Sequence, residues 1–232
     1  MKLIEHLALL TYWDAAAAIF LGLSYFILGW VIEHPPKNRP SVTKIMSENR
    51  REWLRVFVFR DPRIFDSQIM GSLRQSTAFF ASTCVFAIGG VFALIANTDP
   101  LRGVAAEITT DDVPIVVWQV KLALVALMLV NGFLKFVWSN RIFGYCSVMM
   151  AAVPNDANHP DAMGRAMQAA ELNIRAAVNF NRGLRSMYFA LGGLAWLVNS
   201  TTFFVATFAV IVLIWSREFA SIPRDILLGK YP

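Results

Sequence analysis

The side chains able to do chemistry are few, and their spacing brings none of them together. His6, His34 and His159 fall in three separate segments, and no HxxxH, ExxH or CxxC spacing is present. Zinc, haem and a di-iron carboxylate centre therefore all lack a signature. His34 reads as an interfacial residue at a helix end, and His159, before a proline, as a turn residue. Cys84 and Cys146 suggest neither a disulfide nor a metal clip. There is no P-loop, GxGxxG or GxSxG. Asp14 and Glu33 border the first apolar stretch at opposite ends, so they cannot act as a paired acid and base. The only charged cluster open to an enzyme is Asp61, Arg63, Asp66 and Arg74. Neither a catalytic residue, a metal nor a cofactor is assigned, and the chain is expected not to be an enzyme.

The elements that would carry these residues are membrane helices. The chain has 232 residues, 56% of them hydrophobic and 16% charged, where a soluble domain carries about a quarter charged. The apolar residues come in blocks, which predicts one all-α bundle of four spanning helices with helical extensions on one side. A net charge of +5 then speaks for orientation and anionic lipid headgroups rather than nucleic acid. The clearest block runs from Arg63 to Asn97. Its second half, 76–97, is uncharged and long enough to cross a core of about 30 Å. Its first half is amphipathic through Phe65, Ile69 and Leu73, and no proline parts the two, so one continuous helix is expected.

The other spans are expected at 15–32, 114–138 and 187–215, within a single domain of residues 1–232. Trp13 and Trp30 mark the ends of the first, Trp118 and Trp138 those of the third. The first span doubles as an uncleaved insertion signal. Small residues line one side of the first span (Ala15, Ala18, Gly22, Gly29) and of the second (Ala78, Ser82, Gly89, Ala93). They predict close helix packing within the chain, with a dimer seam as the sharper alternative. Lys121 and Lys135, near the ends of the third span, read as snorkelling to the interface rather than as an ion path. Asn131 lies deeper and needs a partner on another helix. Leu184 to Trp215 is long for one crossing and short for a hairpin, yet Gly192-Gly193 is a weak break, so one tilted or protruding helix is expected, with a re-entrant pair as the alternative. Its polar patch Asn199-Ser200-Thr201-Thr202 would then put Asn199 level with Asn131, predicting a hydrogen bond between the two amides.

The segments 41–75 and 139–183 are basic and helical, and are placed on the cytoplasmic side. The first presents Val42, Ile45, Met46, Trp53, Val56 and Phe57 on one face and Lys44, Glu48, Arg51 and Arg55 on the other. That face fits a membrane surface or another helix equally well. In the second segment Asn158 is the expected N-cap of a helix from Asp161 to about Asn181, with Met163, Ala166, Met167, Ala170, Ile174, Ala177 and Val178 on one face. The acidic loop after Asn97 falls outside, and both termini with it. That leaves only Lys2, Arg102, Arg217, Arg224 and Lys230 on the outer side. The tail is the weak point, since a hidden fifth crossing would return it to the cytoplasm.

Arg63-Ile64-Phe65-Asp66 through Phe79-Phe80-Ala81-Ser82-Thr83, with Gly89-Gly90 and Asn97-Thr98-Asp99, resembles the bacterial membrane family called domain of unknown function 599. Phe180 to Ala190, Leu194-Ala195-Trp196 and Arg217-Glu218-Phe219 resemble its later blocks. The resemblance implies a multi-pass protein of the bacterial inner membrane and carries no activity over. It makes Arg182 and Arg185, with Arg63 and Arg74, candidates for binding lipid phosphate or pinning a helix. The expected function is a non-catalytic membrane protein, a homo-oligomer or an accessory subunit of a larger complex, in contact with anionic lipid headgroups. A channel or transporter with Asn131, Asn199, Thr202 and Lys121 along a polar path is the alternative; a lipid-modifying enzyme is the third.

Overall fold

The computed structural model describes residues 11–97 and 114–230, all-α with no strand among them. The acidic loop with Arg102, together with Lys2 and His6, lies outside the described residues. The helices are α1 Tyr12–Glu33, α2 Val42–Phe57, α3 Ile64–Ala96, α4 Ile115–Ala151, α5 Ala162–Leu194, α6 Ser200–Phe219 and α7 Ile222–Leu227. A short 3-10 turn, Ala195–Leu197, separates α5 from α6. Four helical stretches are long and apolar enough to cross a membrane: Tyr12–Glu33, Ile64–Ala96, Ile115–Ala151 and Ser200–Leu227. The unbroken helices α3 and α4 follow from apolar runs without an internal proline.

The contacts divide the chain into two compact units. An apolar unit comprises Met1–Val31, Thr83–Gly132 and Leu184–Ser216; a charged unit comprises Ile32–Ser82, Phe133–Gly183 and Arg217–Pro232. Among its described residues, the apolar unit holds just three charged side chains, Asp14, Lys121 and Arg185. Its core gathers Val91, Leu122, Val125, Ala126, Leu129 and Ala190. The charged unit has its own core, built where a row of alanines on α5 (Ala162, Ala166, Ala169, Ala170, Ala176) receives Leu54, Phe57, Phe143 and Met150. Alanine removes side-chain bulk, so larger residues opposite can fill the space at interior density.

The chain departs from the expected layout in several places. The stretch Leu184 to Trp215 is not one tilted helix. α5 continues through Gly183 to Leu194, the chain turns over 195–199, and α6 starts at Ser200. Asn199 drives the turn: its Oδ1 accepts from Thr202 N at 2.7 Å and Thr202 Oγ1 at 2.8 Å, an N-cap that satisfies the first turn of α6. Beyond the corner α6 folds back on α5, and a Cβ at Gly192 would lie 3.6 Å from Thr207 Cα. The return through α6 brings the tail into the charged unit, where Arg224 Nε donates to Pro40 O at 3.0 Å. The tail thus joins the basic segments from which it was expected to be separated.

α2 also turns differently. Its buried line is Thr43, Ser47, Leu54 and Phe57, while Val56 is exposed. Thr43 and Ser47 tolerate burial because both hydroxyls donate within the unit, to Glu218 Oε1 at 2.9 Å and to Thr43 O at 2.9 Å. α5 begins at Ala162, with His159 Nδ1 accepting from Asp161 N in place of the expected Asn158 cap. The small-residue side of α3 (Ala78, Ser82, Gly89, Ala93), expected to pack within the chain, is exposed.

Candidate functional site

The apolar unit carries two polar clusters. In the first, Asp14 is buried at the start of α1 and bonded to Thr11 N at 3.1 Å and Thr11 Oγ1 at 2.8 Å. Trp196 Nε1 donates to its Oδ1 at 3.1 Å, and Lys121 Nζ lies 3.4 Å from the same oxygen. Lys121 also donates to Trp196 O at 3.4 Å and sits 5.5 Å from the indole centroid. It neutralises a carboxylate and takes a carbonyl freed where the helix breaks, as backbone in an apolar surrounding requires. Gln119 Nε2 does the same for Ile95 O at 3.2 Å.

In the second cluster Asn131 Nδ2 donates to Tyr25 Oη at 2.8 Å and to Ser186 Oγ at 2.5 Å. The bond expected between Asn131 and Asn199 is not formed: Asn131 is satisfied by α1 and α5, and Asn199 is spent on its own helix with Thr202. The four residues expected along a polar path thus belong to three local networks: Lys121 with Asp14, Asn131 with Tyr25 and Ser186, and Asn199 with Thr202.

The arginines singled out as headgroup or pinning residues divide by environment. Arg182 clamps Glu33 with a fork, Nε to Oε1 at 2.9 Å and Nη2 to the other oxygen. Arg185 is buried beside Gly29, whose Cβ would come 3.6 Å from Nη2. Arg63 donates to Val153 O at 2.9 Å and Pro154 O at 2.9 Å, with its guanidinium 4.5 Å from the Phe57 centroid. Arg74 is exposed on α3. Asp66, from the same suspected cluster, is fully buried against Trp53 Nε1 at 2.6 Å and Arg60. Arg63 and Asp66 thus serve different partners and do not converge on a common point.

One cavity of about 430 Å³ lies wholly in the charged unit, walled by α2, α3, α4, α5 and the end of α6. Aromatic rings from Phe80, Phe143 and Phe180 share its lining with Thr43, Arg50, Asn181 and Glu218. Glu218 is anchored at the start of α2, accepting from Thr43 N at 3.0 Å as well as from the Thr43 hydroxyl. The positive end of the α2 dipole favours a carboxylate there. Asn181 Nδ2 donates to the same Thr43 Oγ1 at 3.3 Å. Arg51, on the outer face, has its pKa raised by Glu171 and Glu48, at 2.6 and 2.7 Å. Arg50, one residue earlier, has its pKa lowered by burial. Among the described residues no three His, Cys, Asp or Glu side chains gather as a metal site requires.

The model of the family described as protein of unknown function, DUF599, matches residues 16–223. The chain belongs to this family. Comparison with curated proteins and with solved structures gave no match. Of the DUF599 blocks, Phe180 to Ala190 now has a physical role. Asn181 reaches α2, Arg182 grips Glu33, Gly183 admits the Phe136 ring, and Ser186 closes the Asn131 cluster.

Sequence reasoning missed Arg50, Glu218 and the pairing of Asp14. Arg50 could have been found, since Thr43, Ser47, Arg50, Leu54 and Phe57 recur at helical spacing along one line of α2. Asp14 and Glu218 left no such signal, because their partners lie more than a hundred residues away.

Proposed function

We propose that this DUF599 chain is a non-catalytic, multi-pass protein of the bacterial inner membrane that works as a homo-oligomer, its charged unit on the cytoplasmic side. The observation carrying this reading is the bare face of α3. Ala78, Ser82, Gly89 and Ala93 are exposed there, and no atom lies within 4 Å of a Cβ built on Gly71, Gly89 or Gly90. α3 is also the least enclosed of the candidate spans, with 11% of its most apolar window buried against 22–33% in the others. Helices in lipid associate where small residues permit close backbone approach. A second copy presenting the same face would satisfy a two-fold interface. The orientation is supported by charge: among the described residues every Lys and Arg except Lys121 and Arg185 belongs to the charged unit.

The test is particle mass in lipid nanodiscs. Wild type is expected as a dimer or higher assembly, and Gly89→Leu combined with Ala78→Leu is expected to shift it to monomer without loss of helicity. A wild-type particle that stays monomeric at every concentration would overturn the reading.

A channel or transporter is the second reading, favoured by the buried Asp14–Lys121 pair, since an ionisable pair among apolar helices commonly marks a polar route. It predicts ion or solute flux in liposomes that is abolished by Lys121→Met. Flux unaltered by that change would remove the pair from the case.

A further inference from the structure

Arg50 is a cation with an incomplete set of partners. One N–H of Nη1 donates to Asn173 Oδ1, which is neutral, and among the described residues no carboxylate forms an ion pair with the guanidinium. Asn173 is fully buried and held in register, its Nδ2 donating to Met70 Sδ at 3.2 Å and Cys146 Sγ at 3.7 Å. The amide oxygen is thereby fixed toward Arg50. A guanidinium has five N–H donors, and Arg50 is only partly buried, so the donors that Asn173 leaves unused stay open to a further acceptor. Burial does lower the Arg50 pKa, which agrees with the missing counter-charge.

Arg50 also lines the cavity, together with Phe80, Phe143 and Phe180. Those rings are packed on one another or on the core. Phe80 and Phe180 lie 5.6 Å apart edge-on, and Phe143 is almost fully buried. The one carboxylate in the lining, Glu218, is occupied by Thr43. It sits by the start of α2, seven residues before Arg50, or about 10 Å along the helix. The Arg50 end is thus cationic and the body apolar. A volume of about 430 Å³ falls in the range of small-molecule sites, roughly 300–1,000 Å³.

We propose that this cavity is a binding site for an acidic amphiphile, its carboxylate or phosphate oxygens held by Arg50 and its apolar part against Phe80, Phe143 and Phe180. Two sources share that chemistry, a free fatty acid and an anionic phospholipid. A planar guanidinium fork suits both kinds of oxyanion. This site is independent of whether the protein assembles through α3.

The experiment uses the full chain in phosphatidylcholine nanodiscs, with bound acid read by native mass spectrometry. The probes are laurate, phosphatidate and the uncharged dodecanol. Laurate is expected at one per chain and in preference to dodecanol. Arg50→Gln should weaken it about tenfold or more, and Arg50→Lys less. Ala177→Leu, which narrows the cavity without touching charge, should weaken it as well, whereas Arg141→Gln on the exposed side of α4 should not. Retention of phosphatidate with the same dependence on Arg50 and Ala177 would support the site and assign the bilayer as its source. The proposal falls if wild type holds neither acid, if dodecanol binds as well as laurate, or if Ala177→Leu and Arg50→Gln leave binding unchanged. Should Arg50→Gln fail to fold, Ala177→Leu decides alone, checked by unaltered circular dichroism.

Discussion

Gly183 shows how one missing methyl can set the path of a helix. A Cβ there would come 2.7 Å from Cε1 of Phe136. That ring is fully buried and stacked on Phe80 at 5.5 Å, so it has nowhere to retreat. Alanine would gain about 0.5–1 kcal/mol of helix propensity but incur overpacking of about 1–3 kcal/mol. Gly183→Ala is therefore expected to lower the melting temperature in detergent, with partial recovery on adding Phe136→Leu. Gly144 is the internal control, since nothing lies within 4 Å of its Cβ. Gly144→Ala should raise stability by about 0.5–1 kcal/mol. At Asn131, replacement by Leu removes the donor shared by Tyr25 and Ser186 and leaves those hydroxyls only their mutual bond at 3.3 Å. The expected cost is about 0.6–1.7 kcal/mol, the span measured for hydrogen bonds between membrane helices.

The corner at 195–199 depends on side chains from two other helices and on one of its own. Lys121 takes the Trp196 carbonyl, Asp14 takes the Trp196 indole, and Asn199 caps α6. Because the Asp14–Lys121 pair is buried, with side-chain exposures of 7% and 12%, breaking it from one side is costly. Lys121→Met alone is expected to destabilise by about 3–5 kcal/mol. The double variant Asp14→Asn with Lys121→Met should recover a large part, since it leaves no unmatched charge. Thermal unfolding of the four members of that cycle checks the prediction, and equal losses for the single and the double variant would count against it. The corner itself was open to sequence reading: an Asn three residues before Thr202, six residues beyond Gly193, is helix-start chemistry. Hydropathy averaged over the stretch hides it, because the average stays high across five residues of turn.

In the whole molecule the corner decides where the chain ends up. With four passes the tail would leave on the side away from the basic segments. With the return through α6 it joins them, Glu218 on Thr43 and Arg224 on Pro40. Single cysteines introduced at Lys37 and Lys230 should accordingly react with an impermeant thiol probe from the same side of the membrane. The native Cys84 and Cys146 are both buried and should give little background. Opposite labelling of the two sites would refute the fold of the tail.

Composition and periodicity by themselves determined that this is an all-α protein with apolar helices fit for a membrane and that α3 and α4 run unbroken beyond their apolar parts; the likeness to the family rested instead on particular residue blocks such as Phe180 to Ala190. Those properties are local: hydropathy summed over twenty residues, the absence of proline, the type of residue at a given offset. Tertiary structure decided the rest, namely the turn between α5 and α6, the rotation of α2, the partner of Lys121 and the cavity around Arg50. Each of these depends on which distant groups meet, and a charge or an amide can be satisfied in many ways that look identical along a single strand of sequence. Only when the helices are packed does it become definite that Asp14 has its cation and that Arg50 has no anion among the described residues.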